Sequence, residues 1–419
     1  MRLLHTSDWH LGQTLHHYDR THEHQQFLDW LLDTLDAEAT DLLLVAGDIF
    51  DTANPSAAAQ RQLYRFLTEA RRRRPHLAIV MIAGNHDSPA RLEAPAPFLD
   101  WFGAACVGQV HRLPDGAIDV EKLVVPVRDV GGRIAAWCLA IPFLRPSDVP
   151  RVEAAHDDTG TDADPYQAGV AALYRSALEL ALARRQPGQP IVALGHCHMR
   201  DGEVSEDSER RIVIGGAEAL PAGIFDPAIA YVALGHLHRP QKVGRHEHIR
   251  YCGSPLPMSF SEIHYPHQVV SARLDGETLA EWHAIPVPRP VDLMRVPLTP
   301  RPVEQALDAL RALDLPPLPD ALQPYLQVRV ALDAPEPTLR AKIEAALDGK
   351  PVRLARIEVS AVAAGDTAAP MLSLDDLNRL DPAAVFASLY RERHGAEAPA
   401  TLAAALAELL HAPDEVAAP

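Results

Sequence analysis

The sequence predicts an α/β protein whose functional residues sit at the carboxyl ends of buried strands, and three observations carry that prediction. Short unbroken apolar runs, such as Leu42-Leu43-Leu44-Val45, have the length and texture of strands buried on both faces. Helical patterns separate them: Phe27, Leu28, Leu31, Leu32 and Leu35 recur at helical spacing, as do Leu63, Phe66 and Leu67. The runs then deliver carboxylate, amide and imidazole side chains at their ends, and the carboxyl edge of an open α/β sheet is where ligands bind.

The first run, Arg2 to Thr6, leads into Ser7-Asp8-Trp9-His10-Leu11-Gly12. Asp8 and His10 are two apart, so in extended backbone both point to the same side and can reach one ion. The second run leads into Gly47-Asp48-Ile49-Phe50-Asp51, where glycine lets the chain leave the strand tightly and sets Asp48 where it can bridge two ions. The next helix ends in Arg71-Arg72-Arg73-Arg74-Pro75, which reads as a solvated helix end complementing the dipole. The third run, Leu77 to Ala83, ends in Gly84-Asn85-His86-Asp87-Ser88. Short β-like runs between Ala104 and Phe143, an exposed loop from Glu153 to Pro165 and an Ala- and Leu-rich helix over residues 167–184 follow.

Two nearly parallel phrases come next, Ile191-Val192-Ala193-Leu194-Gly195-His196-Cys197-His198 and Tyr231-Val232-Ala233-Leu234-Gly235-His236-Leu237-His238. Each is an apolar run closed by glycine and His-x-His, and the polar excursion Arg200 to Arg211 lies between them. Beyond them, Ile249 to Pro255 and Gln268 to Leu274 read as strands of a second sheet.

A length of 419 residues exceeds one ordinary core, and the texture changes near residue 285. The expected organisation is a catalytic domain over 1–284, a small α+β domain over 285–365 and a helical segment over 366–419. Ile285-Pro286-Val287-Pro288-Arg289-Pro290 reads as a stiff linker. After it come a strand (Asp292–Val296), a helix (Pro302–Leu313), an alternating strand through Leu326, Val328, Val330 and Leu332, a helix (Thr338–Leu347) and a strand (Val352–Val362). In the last segment Asp381 suits an N-cap before Pro382, with Val385, Phe386, Leu389 and Tyr390 on one helix face and Leu402, Leu406, Leu409 and Leu410 on a second. Those stripes suit a partner interface or packing onto the α+β unit.

No apolar run approaches the roughly 18 residues of a membrane span, and the amino terminus carries no secretory h-region. A cytoplasmic protein is expected. The four cysteines are widely spaced, which excludes a C-x-x-C zinc ribbon and argues against a disulfide framework. A net charge of −17 opposes unaided nucleic-acid binding, so cations, local arginines or a partner must supply the attraction. Only four of the 39 basic residues are lysines, a skew that matches composition bias better than a binding adaptation.

The collected candidates are Asp8, His10, Asp48, Asn85, His196, His236 and His238. They offer oxygen and nitrogen donors without thiolate, a set that suits Mn²⁺, Fe²⁺ or Zn²⁺ and not a structural zinc site. Seven ligands exceed the needs of one ion and match two ions sharing a carboxylate, an arrangement that hydrolyses phosphate esters by in-line displacement. His198 is a weaker candidate than its echo partner His238. His86 reads as a proton donor to the leaving oxygen, or a stabiliser of transition-state charge, held by Asp87.

In these phrases the sequence resembles the calcineurin-like metallophosphoesterases, whose pattern runs D-x-H, G-D, G-N-H-D/E, H and G-H-x-H. Within them it is similar to nuclease subunits of the bacterial SbcCD type, counterparts of the Mre/Rad repair nucleases. That narrower likeness rests on Ser7 to Gly12, Gly47 to Asp51, Gly84 to Ser88, Gly235-His236-Leu237-His238-Arg239 and Tyr251-Cys252-Gly253-Ser254-Pro255. The resemblance implies a four-layer αββα core, a small α+β unit that caps DNA and a C-terminal helical segment that docks on the coiled-coil root of an SbcC-like ATPase in a heterotetramer. Homodimerisation through the nuclease domain is compatible with it. It implies two divalent metal ions with Mn²⁺ favoured, one held by Asp8, His10, Asp48 and His238, the other by Asp48, Asn85, His196 and His236, with His86 as the catalytic histidine. The implied activity is an ATP-dependent 3′→5′ exonuclease on duplex DNA ends and an endonuclease on hairpins and single strands, serving DNA repair, replication and recombination. Some relatives carry histidine where Asp51 stands, so no second catalytic histidine is expected, and His17 lies where some relatives contact substrate.

The chain has no G-x-x-x-x-G-K-[ST] loop, so ATP dependence would require another subunit. Competing readings are a phosphatase or cyclic-nucleotide phosphodiesterase, which would need neither the extra domain nor the tail, and a non-catalytic scaffold, which would not need the full ligand set.

Overall fold

The strands expected ahead of the candidate ligands form at the expected places. In the computed structural model, which describes residues 1–101, 103–151, 164–200, 202–203, 219–361 and 402, β1 spans Arg2–Thr6. A ribbon of β2 (Thr14–Leu15) and β3 (Tyr18–Asp19) leads into α1 (Thr21–Ala37), and β4 is Leu42–Ala46. Then come α2 (Ala57–Arg73), β5 (Ala78–Ile82), the short helices α3 (Pro89–Glu93) and α4 (Ala96–Trp101), β6 (Ala104–Val107), β7 (Val124–Arg128) and β8 (Ile134–Ala140). Helix α5 (Pro165–Arg184) precedes β9 (Ile191–His196) and β10 (Ile229–Gly235), which are followed by β11 (Gln241–Val243), β12 (His246–Tyr251), β13 (Gln268–Asp275) and β14 (Thr278–Pro286).

Two six-stranded sheets result, ordered β14-β13-β1-β4-β5-β6 and β11-β12-β10-β9-β8-β7. In the first, β1, β4, β5 and β6 run parallel; in the second, β8, β9, β10 and β12 do. The sheets share a core in which Leu42, Leu44 and Ala46 meet Leu139, Ala193 and Leu234. The alternate residues Leu43 and Val45 face outward and are covered by Phe27 and Leu31 of α1 and Leu63 and Phe66 of α2. Each of these fully buried side chains contributes roughly 1.5–3 kcal/mol of transfer free energy. On the far side, α5 places Leu173, Tyr174 and Ala177 in the core. The layering is helix, sheet, sheet, helix, as expected, and runs of strands apolar on both faces follow from it.

Local signals explain the helix ends. The Ser56 hydroxyl caps α2 through the Ala59 amide at 3.2 Å, and Asp164 caps α5 with Pro165 in the first turn. The arginine run at the end of α2 is used for ion pairing: Arg72 and Arg73 pair with Glu69, and Arg73 also reaches Asp33 of α1 at 2.7 Å.

The later α+β unit contains β15 (Leu293–Pro302), α6 (Val303–Arg311), β16 (Tyr325–Leu332), α7 (Leu339–Ala346) and β17 (Arg353–Ala361), with sheet order β15-β16-β17. Both helices cover one face through Leu307, Leu310 and Ile343. The other face brings Leu293, Tyr325 and Ala355 against Leu15, Phe260 and Val291. There the Tyr325 hydroxyl donates to Glu23 at 2.7 Å, and Glu23 forms a buried pair with Arg20. Strand β14 stays paired through Pro286, opposite Gln268, so the stiff linker starts two residues later than the composition suggested.

Residues Met1–Ser360 form one compact unit and Ala361–Pro419 another. The expected helices over 366–419, with Asp381, Phe386 and their apolar stripes, lie outside the described residues, apart from Leu402. Most of the polar segments Glu153 to Pro165 and Arg200 to Arg211 also lie outside them. Among the described residues no helix is long and apolar enough to cross a membrane.

His5 on β1 ties the sheets together: its Nδ1 lies 3.1 Å from the Tyr231 hydroxyl and its Nε2 3.2 Å from the Leu234 carbonyl. Burial, reinforced by Arg250 and only partly offset by the Leu234 hydrogen bond, pushes the imidazole down to about 3 from 6.5. Between those values the unfolded chain binds a proton that the folded chain refuses, so the His5 contribution is complete above pH 6.5 and is lost as pH falls toward 3. Urea unfolding should therefore show stability falling with acid at up to about 1.4 kcal/mol per pH unit from this residue. The His5→Gln chain should lose that component of the slope.

Candidate metal centre

Parallel strands in both sheets bring their carboxyl ends to one edge, and the loops there are held by backbone as well as by side chains. The amides of Asp8, His10 and Leu11 donate to the carbonyls of Gly47, Asp48 and Ile49 at 3.0, 3.0 and 2.9 Å. This continues the β1–β4 pairing into irregular backbone. The extended conformation expected at Asp8 and His10 is not what forms. Both lie in the left-handed region, with φ of 54° and 46°, as do Asp48 at 49° and His236 at 99°. Non-glycine residues are strained there, and such strain concentrates at functional sites. Glycine is required beside them: a Cβ on Gly47 (φ 89°) would strike the His196 ring, and one on Gly235 would strike the Ala46 carbonyl. The two sheets approach too closely for any side chain at those points.

Asp48 lies at the centre. Its Oδ2 is 3.6 Å from His10 Nε2 and 3.4 Å from His196 Nε2, and its Oδ1 accepts from the His86 amide at 2.9 Å. Ligand-type atoms converge in three overlapping groups, Asp8 with His10 and His238, His10 with Asp48 and His86, and Asp8 with Asp48 and His196, all within 4.8 Å inside each group. Asn85 joins them through Oδ1, 3.0 Å from His196 Nε2 and 3.2 Å from His236 Nδ1. All seven sequence-derived ligand candidates and His86 thus meet at one place.

The imidazoles are aimed by what holds their other nitrogen. His196 Nδ1 donates to the Ala46 carbonyl at 2.8 Å, His86 Nδ1 to the Asp51 carbonyl at 2.8 Å, and His238 Nδ1 to the Glu262 carboxylate at 2.8 Å. Each directs Nε2 to the centre, the usual outer-shell device of histidine metal ligands. Asp8 is fixed by the Ser7 hydroxyl at 2.5 Å and the His236 amide at 3.0 Å.

Burial alone would raise the Asp48 carboxyl, but His196, then His10 and His86, outweigh it and hold it well below the usual carboxylate range. Burial would lower His196, and the facing Asp48 charge instead pushes it up to about 9. Asp48 is therefore an anion at neutral pH, as a cation ligand must be. His236, buried and beside His196, is pushed well down and stays neutral.

His10 tests the fit of a metal directly. The ring is 3% exposed, yet among the described residues neither nitrogen makes a hydrogen bond, a costly arrangement unless its lone-pair nitrogen meets a cation. With two buried carboxylates, an amide oxygen and further imidazole nitrogens around it, the donor set fits divalent cations.

Asp87 does not hold the His86 imidazole: it accepts from the amides of Ile49, Phe50 and Gly84 at 3.1, 2.9 and 2.9 Å, and so joins the loops after β4 and β5. Neighbours in a tight loop point apart, and the nearer acceptor for His86 is the Asp51 carbonyl. The Asp51 carboxylate approaches His10 Nδ1 at 3.4 Å. His198 stands outside the three groups, its ring 6.4 Å from that of His236, and His17 is exposed at the tip of the β2–β3 ribbon. Glu262 and Cys252, which contacts Ser7 at 3.1 Å, were not anticipated. Glu262 was legible only as Ser259-x-x-Glu262, the spelling of a helix capping box.

Two facing sheets that deliver carboxylates, an amide and imidazoles to one edge define a metal-dependent phosphoesterase. The family model described as calcineurin-like phosphoesterase matches residues 1–240, and the one described as type 5 capsule protein repressor C-terminal domain matches residues 289–394. The SbcD subunit of nuclease SbcCD from Rhodobacter capsulatus is 42% identical over 93% of this chain and 94% of its own. The protein of that name from Escherichia coli K12 is 34% identical over 84% of each chain, and that of Bacillus subtilis 168 is 36% identical over 68% and 69%. The chain belongs to the calcineurin-like phosphoesterases and, within them, to the SbcD family of nuclease subunits.

Removing Asp87 would leave three buried amides without acceptors, at roughly 1–3 kcal/mol each. Asp87→Ala should therefore lower the melting temperature by several degrees and weaken divalent-metal uptake, both readable by calorimetry.

Proposed function

We propose that this chain is the metal-dependent nuclease subunit of an SbcCD-type complex and hydrolyses DNA phosphodiesters at a centre of two divalent ions. The observation that carries the reading is Asp48, whose Oδ2 lies within 3.6 Å of histidines on both sides of the centre. Asp8, His10 and His238 would hold one ion with it, and Asn85, His196 and His236 the other. The oxygen and nitrogen donors favour Mn²⁺ over thiolate-seeking metals. Such ions, when bound, supply positive charge to the attacking and leaving oxygens of an in-line displacement.

The chain's own groups do the rest. Asp8 and Asp48 bring negative charge that keeps cations in place, and the Nδ1 tethers of His86, His196 and His238 keep each ring from rotating away. His86, whose ring joins His10 and Asp48 with Nδ1 held by the Asp51 carbonyl, would donate a proton to the leaving alkoxide or stabilise its charge. Asp87 acts through the loops that it joins.

An SbcC-like ATPase with a coiled coil is the partner, engaged through the segment over 366–419 in a heterotetramer, and the α+β unit over 285–365 caps DNA. The partner brings the nucleotide chemistry that this chain's sequence lacks and DNA-binding charge that offsets the −17. The substrates are duplex ends, degraded 3′→5′ with ATP, and hairpins or single strands, cut internally. The chain works in the cytoplasm.

The test is cleavage of an end-labelled DNA hairpin by the purified chain with Mn²⁺, with and without chelator. Wild type should cut and lose activity on chelation, and Asp48→Ala should not cut. His86→Ala should take up metal normally and lose about 10²–10⁴-fold in turnover. Activity confined to nucleotide monoesters would favour a phosphatase instead.

A further inference from the structure

Glu262 is a fully buried carboxylate: one oxygen accepts from His238 Nδ1 at 2.8 Å and the other from the Met258 amide at 2.8 Å. Taking a carboxylate out of water is costly, and a capping role alone would not need it, because Ser259 already closes this turn onto the Ser261 amide at 3.2 Å. The turn also faces the three-stranded unit. The Phe260 side chain is buried beside Leu293, Tyr325 and Ala355, and its carbonyl accepts from Arg295 of β15 at 2.7 Å. Arg289 in the linker donates to the Ile263 carbonyl at 2.8 Å.

We infer that Glu262 is the positioning residue for His238, and that Arg295 couples the docking of the three-stranded unit to it through the Phe260 turn. The inference rests on the two-ion reading of the centre. A carboxylate on Nδ1 fixes the tautomer, directs Nε2 toward the ion and makes the imidazole a stronger donor. If β15 withdraws, the turn loses its Arg295 tether and its apolar cover, Glu262 shifts, and the ion beside Asp8 and His10 loses a well-oriented ligand. His196 on the other side of the centre is held instead by the Ala46 carbonyl at the end of β4.

The experiment is calorimetric Mn²⁺ titration of the full chain, with circular dichroism to establish folding, on wild type, Glu262→Ala, Glu262→Gln and Arg295→Met. Wild type should bind two ions. Glu262→Ala should weaken one by about 10–100-fold and spare the other. Glu262→Gln, whose amide oxygen still accepts from Nδ1, should recover part of that loss. Arg295→Met, which removes the hydrogen bonds to Gln327 and the Phe260 carbonyl, should weaken the same ion by about 2–30-fold. Unchanged isotherms in both Glu262 variants, or a glutamine as damaging as alanine, would overturn the positioning role. An unchanged Arg295→Met isotherm would overturn the coupling. A wild type that binds no Mn²⁺ would overturn the two-ion reading itself, an outcome distinct from the other two.

Discussion

The structure depends on a buried anion, Asp48, held where two sheets come too close for side chains. Gly47 and Gly235 permit that approach, and His196 from the second sheet then meets a carboxylate from the first. An ionised carboxylate inside a protein must be paired or coordinate a cation, because the desolvation cost is otherwise prohibitive. Everything around it follows that demand: histidines on both sides of Oδ2 and the His86 amide on Oδ1.

The scaffold explains why the ligands need so much of the chain. Strands β1, β4 and β5 carry Asp8, Asp48 and Asn85 to the edge, and β9 and β10 carry His196 and His236 from the facing sheet. The two echoing phrases are adjacent parallel strands with Gly235 opposite His196, so their similarity reflects one local solution used twice. Left-handed backbone at Asp8, His10, Asp48 and His236 is strain that the paired loops sustain. Asp87 supplies much of that support by collecting three amides from two loops.

Much of this was legible in the sequence, for physical reasons. Apolar runs flanked by glycine marked buried strands because a strand covered on both faces has no polar alternation to display. Helical spacing marked α1 and α2 because only one stripe of each meets the sheet. The eight residues at the centre were readable because metal-ligand types rarely follow successive strands by chance. What failed was local inference. Adjacency suggested that Asp87 holds His86, and alternation suggested extended backbone at Asp8 and His10, whereas loop geometry decides both. Glu262 was hidden because its partner His238 is 24 residues away and its spelling matches a helix cap.

With a net charge of −17, the proposed activity needs cations to attract a phosphodiester, and a carboxylate shared between two of them is what that activity turns on. Electron paramagnetic resonance of the chain saturated with Mn²⁺ tests it most directly. An exchange-coupled pair is expected, because two ions sharing Asp48 would lie about 3.5–4 Å apart. A spectrum of isolated, uncoupled Mn²⁺ at saturation would contradict it.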